Sequence, residues 1–222
     1  MPTLSQPNTE TQPRLEALVQ TVRFLHAQGW TPATSSNFSL RSSEKAGFEG
    51  FLISVSGLDK GQLTPADFLP VDETGNVTDT EKAHIKPSAE TLLHGWVYKN
   101  FPQAGVVLHT HSVNGTVVGK LHQKQGVLTF TDFEILKGLE GIKTHEAEVT
   151  IPVLPNHQDM GVLVKQLDDW YQQNKNRPLY GFLLAGHGLY SWGETPAQAQ
   201  RHIEVFEFLF DCLIKLKSVE GK

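Results

Sequence analysis

Residues 104–111, AGVVLHTH, constrain this chain more than any other stretch. Val106, Val107 and Leu108 are apolar in succession, so the segment reads as a buried strand. It runs into two histidines, His109 and His111. Side chains on a strand alternate with period two, so both imidazoles point to the same face and can meet one ion. The fold must bury this strand and still leave its end free for chemistry.

Composition narrows the class further. The chain has 222 residues, ten histidines and a single cysteine. One domain of this length buries roughly 70% of the surface its unfolded chain exposes, so it needs no disulfide staple. Cys212 alone makes none. There are 24 acidic residues against 19 Lys and Arg, a formal charge of −5, and no basic block. That balance argues against nucleic acid as a partner. No apolar run approaches the roughly 18 residues of a membrane span. The N-terminal MPTLSQPNTETQPR has neither the basic start nor the apolar core of an export signal. With cysteine scarce, the expected location is the cytoplasm.

Residues 1–12 are rich in Thr, Gln, Asn and Pro and read as a flexible tail, leaving 13–222 as one domain. Leu15, Leu18, Val19, Val22 and Leu25 recur at helical spacing up to Gly29, where a helix would stop. Phe38 and Leu40 alternate with polar residues as in a short strand, and FLISVSG (51–57) is a second strand ending in a turn. Thr64-Pro65-Ala66-Asp67 has the residues of a helix start, and Pro87-Ser88 opens another helix through Leu92, Leu93, Trp96 and Val97. VLTFTDFE (127–134) and VTIPVLP (149–155) read as strands, and 158–173 as an amphipathic helix. GFLLAGHGLYSWG (181–193) reads as two strands hinged at Gly186-His187-Gly188. The terminal helix from Thr195-Pro196 spreads Phe206, Phe208, Leu209, Phe210, Leu213 and Ile214 over more than one face. It reads as a subunit contact or as internal packing.

His187, between two glycines at a strand end, can join His109 and His111. Three imidazoles with an open fourth position are a catalytic zinc pattern, although the same ligands suit Fe, Ni or Cu. The other seven histidines, at 26, 84, 94, 122, 145, 157 and 202, have no such spacing and read as surface or packing residues. Among the acids, Glu90 falls in the first turn of a helix, where the dipole alone favours a carboxylate. Glu134 ends an apolar strand. Local spacing does not separate the two as acid/base candidates. Ser35-Ser36-Asn37, Ser56-Gly57 and Pro87-Ser88 are turns whose backbone N–H groups suit an anion, and no Walker-type or GxGxxG sequence is present.

SSN (35–37), SG (56–57), KPSAE (86–90), HTH (109–111) and GHG (186–188) together resemble the class II, zinc-dependent sugar-phosphate aldolase family, in order and in spacing. The resemblance runs over nearly the whole chain from about residue 14. It implies an α/β fold of three layers, α/β/α, with a central, mainly antiparallel sheet and helices on both faces. It also implies a homotetramer with sites at subunit interfaces, and one Zn2+ per subunit on His109, His111 and His187. Asn37, Ser56, Gly57 and Ser88 would hold the phosphate of a sugar-phosphate substrate. Ser36 and Ala89 depart from the aldolase pattern of Gly before Asn and a second Ser.

SAETLLH (88–94), FEILKG (133–138), IPVLPNHQDM (151–160) and LYSWGET (189–195) resemble more closely the dehydratase branch of that family. That branch serves methionine salvage, removing water from a methylthio-substituted ketopentose phosphate by zinc-stabilised enediolate chemistry. The acid/base there corresponds to Glu134, whereas in the aldolase branch it corresponds to Glu90. Aldol cleavage of a ketose phosphate is therefore the alternative activity. A cupin-type iron dioxygenase would want a carboxylate about four residues beyond His111, where Gly115 stands. A structural zinc in an interaction module is the non-enzyme alternative, and it calls for a closed site.

Overall fold

Eight strands hydrogen-bond into one sheet in the computed structural model, which describes residues 11–42 and 50–220, at 220 the backbone alone. They are β1 (Asn37–Arg41), β2 (Phe51–Ser54), β3 (Phe68–Val71), β4 (Val106–Thr110), β5 (Val127–Phe130), β6 (Val149–Leu154), β7 (Gly181–Leu184) and β8 (Gly188–Gly193). Their order across the sheet is β3-β2-β1-β4-β8-β7-β6-β5. Every neighbouring pair is antiparallel except β6 and β7. A parallel pair needs a crossover connection, and helix α4 (Met160–Gln173) lies within it. The other helices are α1 (Thr11–Ala27), α2 (Thr91–Asn100), α3 (Val113–His122) and α5 (Pro196–Glu220).

Strand β4 sits between β1 and β8, with Val106, Val107 and Leu108 wholly buried. One face of the sheet is aromatic. Phe182 stacks on Tyr190 at 4.6 Å, Trp96 of α2 meets Phe182 edge-on, and Tyr171 of α4 meets Trp96 in turn. The other face carries α5, which lies along β8 and β4 with α1 and α3 beside it. Helices thus cover both faces of a mainly antiparallel sheet, the α/β/α arrangement that the motifs implied.

Several local expectations shift. Of the tail expected over 1–12, residues 1–10 lie outside the described part, while Thr11 and Gln12 already belong to α1. That helix ends at Ala27, just short of Gly29, whose φ is +75° and whose N–H donates to the His26 carbonyl. The helix start at Thr64-Pro65 yields only a 3-10 turn, Pro65–Asp67, because Phe68–Val71 pairs with β2 instead. Helix α2 begins at Thr91 rather than at Pro87-Ser88, which makes Glu90 its N-cap residue. In α5, Ile203, Phe206, Leu209 and Phe210 are buried within the chain, so that stretch is internal packing. Phe208, Leu216 and Val219 are exposed.

Candidate metal centre

The sheet register decides which candidates meet. Asn37 opens β1 opposite His109 near the end of β4. At this same end β8 begins, β7 finishes, and so does its parallel neighbour β6. The β7–β8 turn carries His187. Gly186 there has φ +67°, and a Cβ on Gly188 would run into the carbonyl oxygen of Thr110, so the turn can lie directly on β4. The Thr116 hydroxyl of α3 donates to the His187 carbonyl at 3.0 Å. Val55 bridges to Pro87 and the Ser56 N–H donates to the Lys86 carbonyl, so the 56–57 turn and the 86–88 segment lie side by side. Asn37, Ser56, Gly57, Ser88, Glu90, His109, His111 and His187 therefore gather at one end of the sheet.

Glu134 does not join them. Strand β5 is antiparallel to β6 and ends where β6 begins, at the opposite end of the sheet. Glu134 follows β5 there on a 3-10 turn, its side chain 72% exposed, beside Lys137 and His145.

Glu90, His109, His111 and His187 present ligand atoms all within 4.8 Å of one another. The Nδ1–H of His109 donates to the Leu189 carbonyl at 3.0 Å, and Nδ1 of His187 lies 3.2 Å from the Asn156 side-chain oxygen. Carbonyl oxygens only accept, so both Nδ1 atoms carry the proton and both Nε2 lone pairs point inward. Those two Nε2 atoms stand 3.3 Å apart. Two ligands of a tetrahedral ion at about 2.05 Å would be about 3.3 Å apart, so the donor set fits a divalent metal.

Electrostatics agree with that fit. Burial pushes His109 well down, and burial with the neighbouring His187 ring pushes His111 down to about 4, toward the neutral ligand form. Burial opposes the charge on Glu90, but His109, His187 and Asn37 outweigh it and hold the carboxyl well below the usual carboxylate range. Its Oε1 lies 3.0 Å from His187 Nε2. Its Oε2 accepts from Asn37 Nδ2 at 2.6 Å and from the Tyr190 hydroxyl at 2.8 Å. Burial, and the Glu90 charge beside it, keep Tyr190 protonated as a donor. The cluster opens onto a cavity of about 520 Å³ whose lining also includes Pro32, Asn156, His157 and Met160. An open mouth of that kind departs from the closed site of a purely structural metal.

A model of the class II aldolase and adducin N-terminal domain matches residues 16–214. The chain belongs to the class II aldolase family. A methylthioribulose-1-phosphate dehydratase from Stenotrophomonas maltophilia (strain K279a) is 45% identical over 206 residues, 93% of this chain and 92% of the relative. One of the same name from Pseudomonas syringae pv. tomato is 44% identical over 93% of this chain and 97% of its own. Among solved structures, the l-fuculose-1-phosphate aldolase from Thermus thermophilus matches with a TM-score of 0.72 at 25% identity, over 95% of this chain and 99% of that one.

Sequence reasoning misses several residues of this class II aldolase site. Tyr190 and Asn156 touch ligands only through tertiary approach and carry no local signal. His94 reads from sequence as a packing histidine, yet it lies one hydrogen bond from Asn37. Lys60 is 1% exposed and donates to the Thr34 and Leu58 carbonyls at 3.0 and 2.8 Å, tying the 35–37 turn to the 56–57 turn. Burial lowers its pKa, with Asp59 opposing. A lone lysine beside a Ser-Gly turn gives no hint of burial.

Proposed function

We propose that this chain is a lyase that dehydrates 5-methylthioribulose 1-phosphate to 2,3-diketo-5-methylthiopentyl 1-phosphate and water. The observation that carries the reading is the 45% identity over 93% of the chain to a methylthioribulose-1-phosphate dehydratase, together with the intact His109–His111–His187–Glu90 cluster. The reaction places the protein in methionine salvage, and the scarcity of cysteine fits a reducing cytoplasm. Zinc is the ion that three imidazoles at tetrahedral spacing suit, with a further position left open to the cavity. Bound there, it supplies Lewis acidity that makes the hydrogen beside the ketose carbonyl removable.

The chain's own residues divide the remaining work. Ser56, Gly57 and Ser88 offer adjoining turns for the phosphate, which fixes the far end of the substrate. Asn37 contributes at that edge while its amide nitrogen is held by Glu90. Glu134 takes the C3 proton and returns a proton to the departing C4 hydroxyl, so water leaves and the enol becomes the diketone. The position of Glu134, exposed and at the opposite end of the sheet, supports delivery from a neighbouring subunit in a homotetramer. Glu90, with both carboxylate oxygens engaged, is better suited to holding the cluster than to shuttling protons.

Aldol cleavage with Glu90 as acid/base is the second reading. It is favoured by the place of Glu90 among the histidines and by the likeness to an l-fuculose-1-phosphate aldolase. Product analysis decides between them. With methylthioribulose 1-phosphate the wild type should yield the diketone, and Glu134→Gln should keep its zinc and lose at least about 100-fold in turnover. Two- or three-carbon fragments would replace the dehydratase reading with cleavage. Turnover by Glu134→Gln near the wild-type rate would remove Glu134 from the acid/base role.

A further inference from the structure

A line of hydrogen bonds runs from the metal cluster into the core of the aromatic face. Glu90 Oε2 accepts from Asn37 Nδ2 at 2.6 Å. The Asn37 Oδ1 lies 2.5 Å from His94 Nε2, and His94 Nδ1 lies 2.7 Å from the Ser39 hydroxyl. That hydroxyl in turn lies 2.7 Å from the Tyr98 hydroxyl. Ser39 and His94 are wholly buried, and Asn37 and Tyr98 nearly so.

The direction of every bond follows from its outer end. An ionised carboxylate only accepts, so the Asn37 NH2 must face Glu90 and its carbonyl oxygen must face His94. The Nε2 of His94 must then carry a hydrogen. A neutral ring with Nε2–H has a lone pair at Nδ1, which accepts from the Ser39 hydroxyl, whose oxygen accepts from Tyr98. The ring is held in place by Phe51, near-parallel at 6.5 Å, and by Tyr190, edge-on at 5.7 Å. Turning the Asn37 amide over would set its carbonyl against the carboxylate and its NH2 against the His94 N–H, two repulsive contacts at once.

We infer that His94 is a positioning residue. Its Nε2–H fixes the orientation of the Asn37 amide, and through it the carboxylate of Glu90 against the three histidines. His94 is not one of the cluster's ligand residues and does not line the cavity. A partner one step behind a ligand typically changes metal affinity or activity by roughly 10–100-fold when removed.

Two substitutions separate this role from packing. His94→Leu fills the space without a donor. His94→Gln places an amide N–H near the Nε2 position. In the zinc-loaded protein, competition with a chromophoric chelator should show His94→Leu binding zinc at least about tenfold more weakly than wild type, with His94→Gln within a few-fold of it. Nitrogen-15 spectra of the wild-type imidazoles should show His94 as the Nε2–H tautomer. In the diketone assay kcat should fall in His94→Leu with KM little changed, and this arm alone rests on the dehydratase reading. If wild type gives no diketone, that reading fails while zinc affinity and tautomer still judge His94. An Nδ1–H tautomer overturns the inference. So does a folded His94→Leu with wild-type zinc affinity and kcat, or a His94→Gln that loses as much as His94→Leu. Should His94→Leu fail to fold, the tautomer and His94→Gln decide.

Discussion

Buried carboxyls in this molecule behave in opposite ways according to their partners. Glu90 is surrounded by donors and imidazoles that outweigh its burial, so it stays charged. Glu207 on α5 is 4% exposed, and neither of its oxygens finds a hydrogen-bond partner among the described residues. Burial, only partly eased by the nearby Ser112 hydroxyl, pushes it up to about 7. The folded chain therefore keeps a proton that the unfolded chain releases between the ordinary glutamate pKa and about 7. Stability is undiminished below that window, falls as pH rises through it and is lowest above it. The penalty reaches at most about 3 kcal/mol. Glu207→Gln should raise the melting temperature at pH 8 by several degrees and change it little at pH 4.5. Equal shifts at the two pH values would show that ionisation of Glu207 is not involved.

Helix α4 shows how one element shapes the cavity. Asp159 caps it, its Oδ1 accepting from the Gly161 N–H at 2.8 Å and from the Val162 N–H at 3.4 Å. The segment leading into that cap supplies Asn156 to His187 and puts His157 and Met160 on the cavity wall. Asp159→Ala should cost about 1 kcal/mol and lower the melting temperature by about 2–4 °C, measured by calorimetry. Because the wall moves more than the cluster, KM should rise more than kcat falls. A larger fall in kcat would mean that the cap positions the ligands themselves.

At this scale much is legible in the sequence. The buried β4 strand, the paired face of His109 and His111, and the hinge at His187 all follow from period-two alternation and from glycine. Helix α3 is not, because VNGTVVGKLH is poor in helix formers. Its one signal is Ser112, whose hydroxyl caps the Gly115 N–H at 2.9 Å. Glu90 reads in sequence as a residue suited to the helix dipole. Only the approach of β1, β4 and β8 around the start of α2 shows that its side chain turns away into the cluster. Tyr190 and His94 reach the site over about 100 and 57 positions of chain from their partners, a separation that local pattern does not carry.

For the molecule as a whole, the separation of Glu134 from the histidines makes a specific demand. Under the proposed acid/base role of Glu134, a second copy of the chain brings that carboxylate to the cluster; no helix among the described residues is long and apolar enough to cross a membrane. Co-expression of Glu134→Gln chains with His111→Ala chains should restore activity that neither has alone, approaching about one quarter of wild type for random mixing in a cyclic tetramer. No recovery in isolated mixed tetramers would mean that each chain supplies its own acid/base.

The buried line from Tyr98 to Glu90 also bears on how such a sequence can change over generations. Each interior member, Asn37, His94 and Ser39, donates to one neighbour and accepts from another, so losing any one strands a buried polar group on either side at about 1–3 kcal/mol. Single replacements along it are penalised before a compensating one can arrive, whereas Pro32 or Met160 on the open cavity wall can vary one at a time. New substrates should therefore be acquired by drift at the rim, while Asn37, Ser39, His94 and Tyr98 are inherited as a unit.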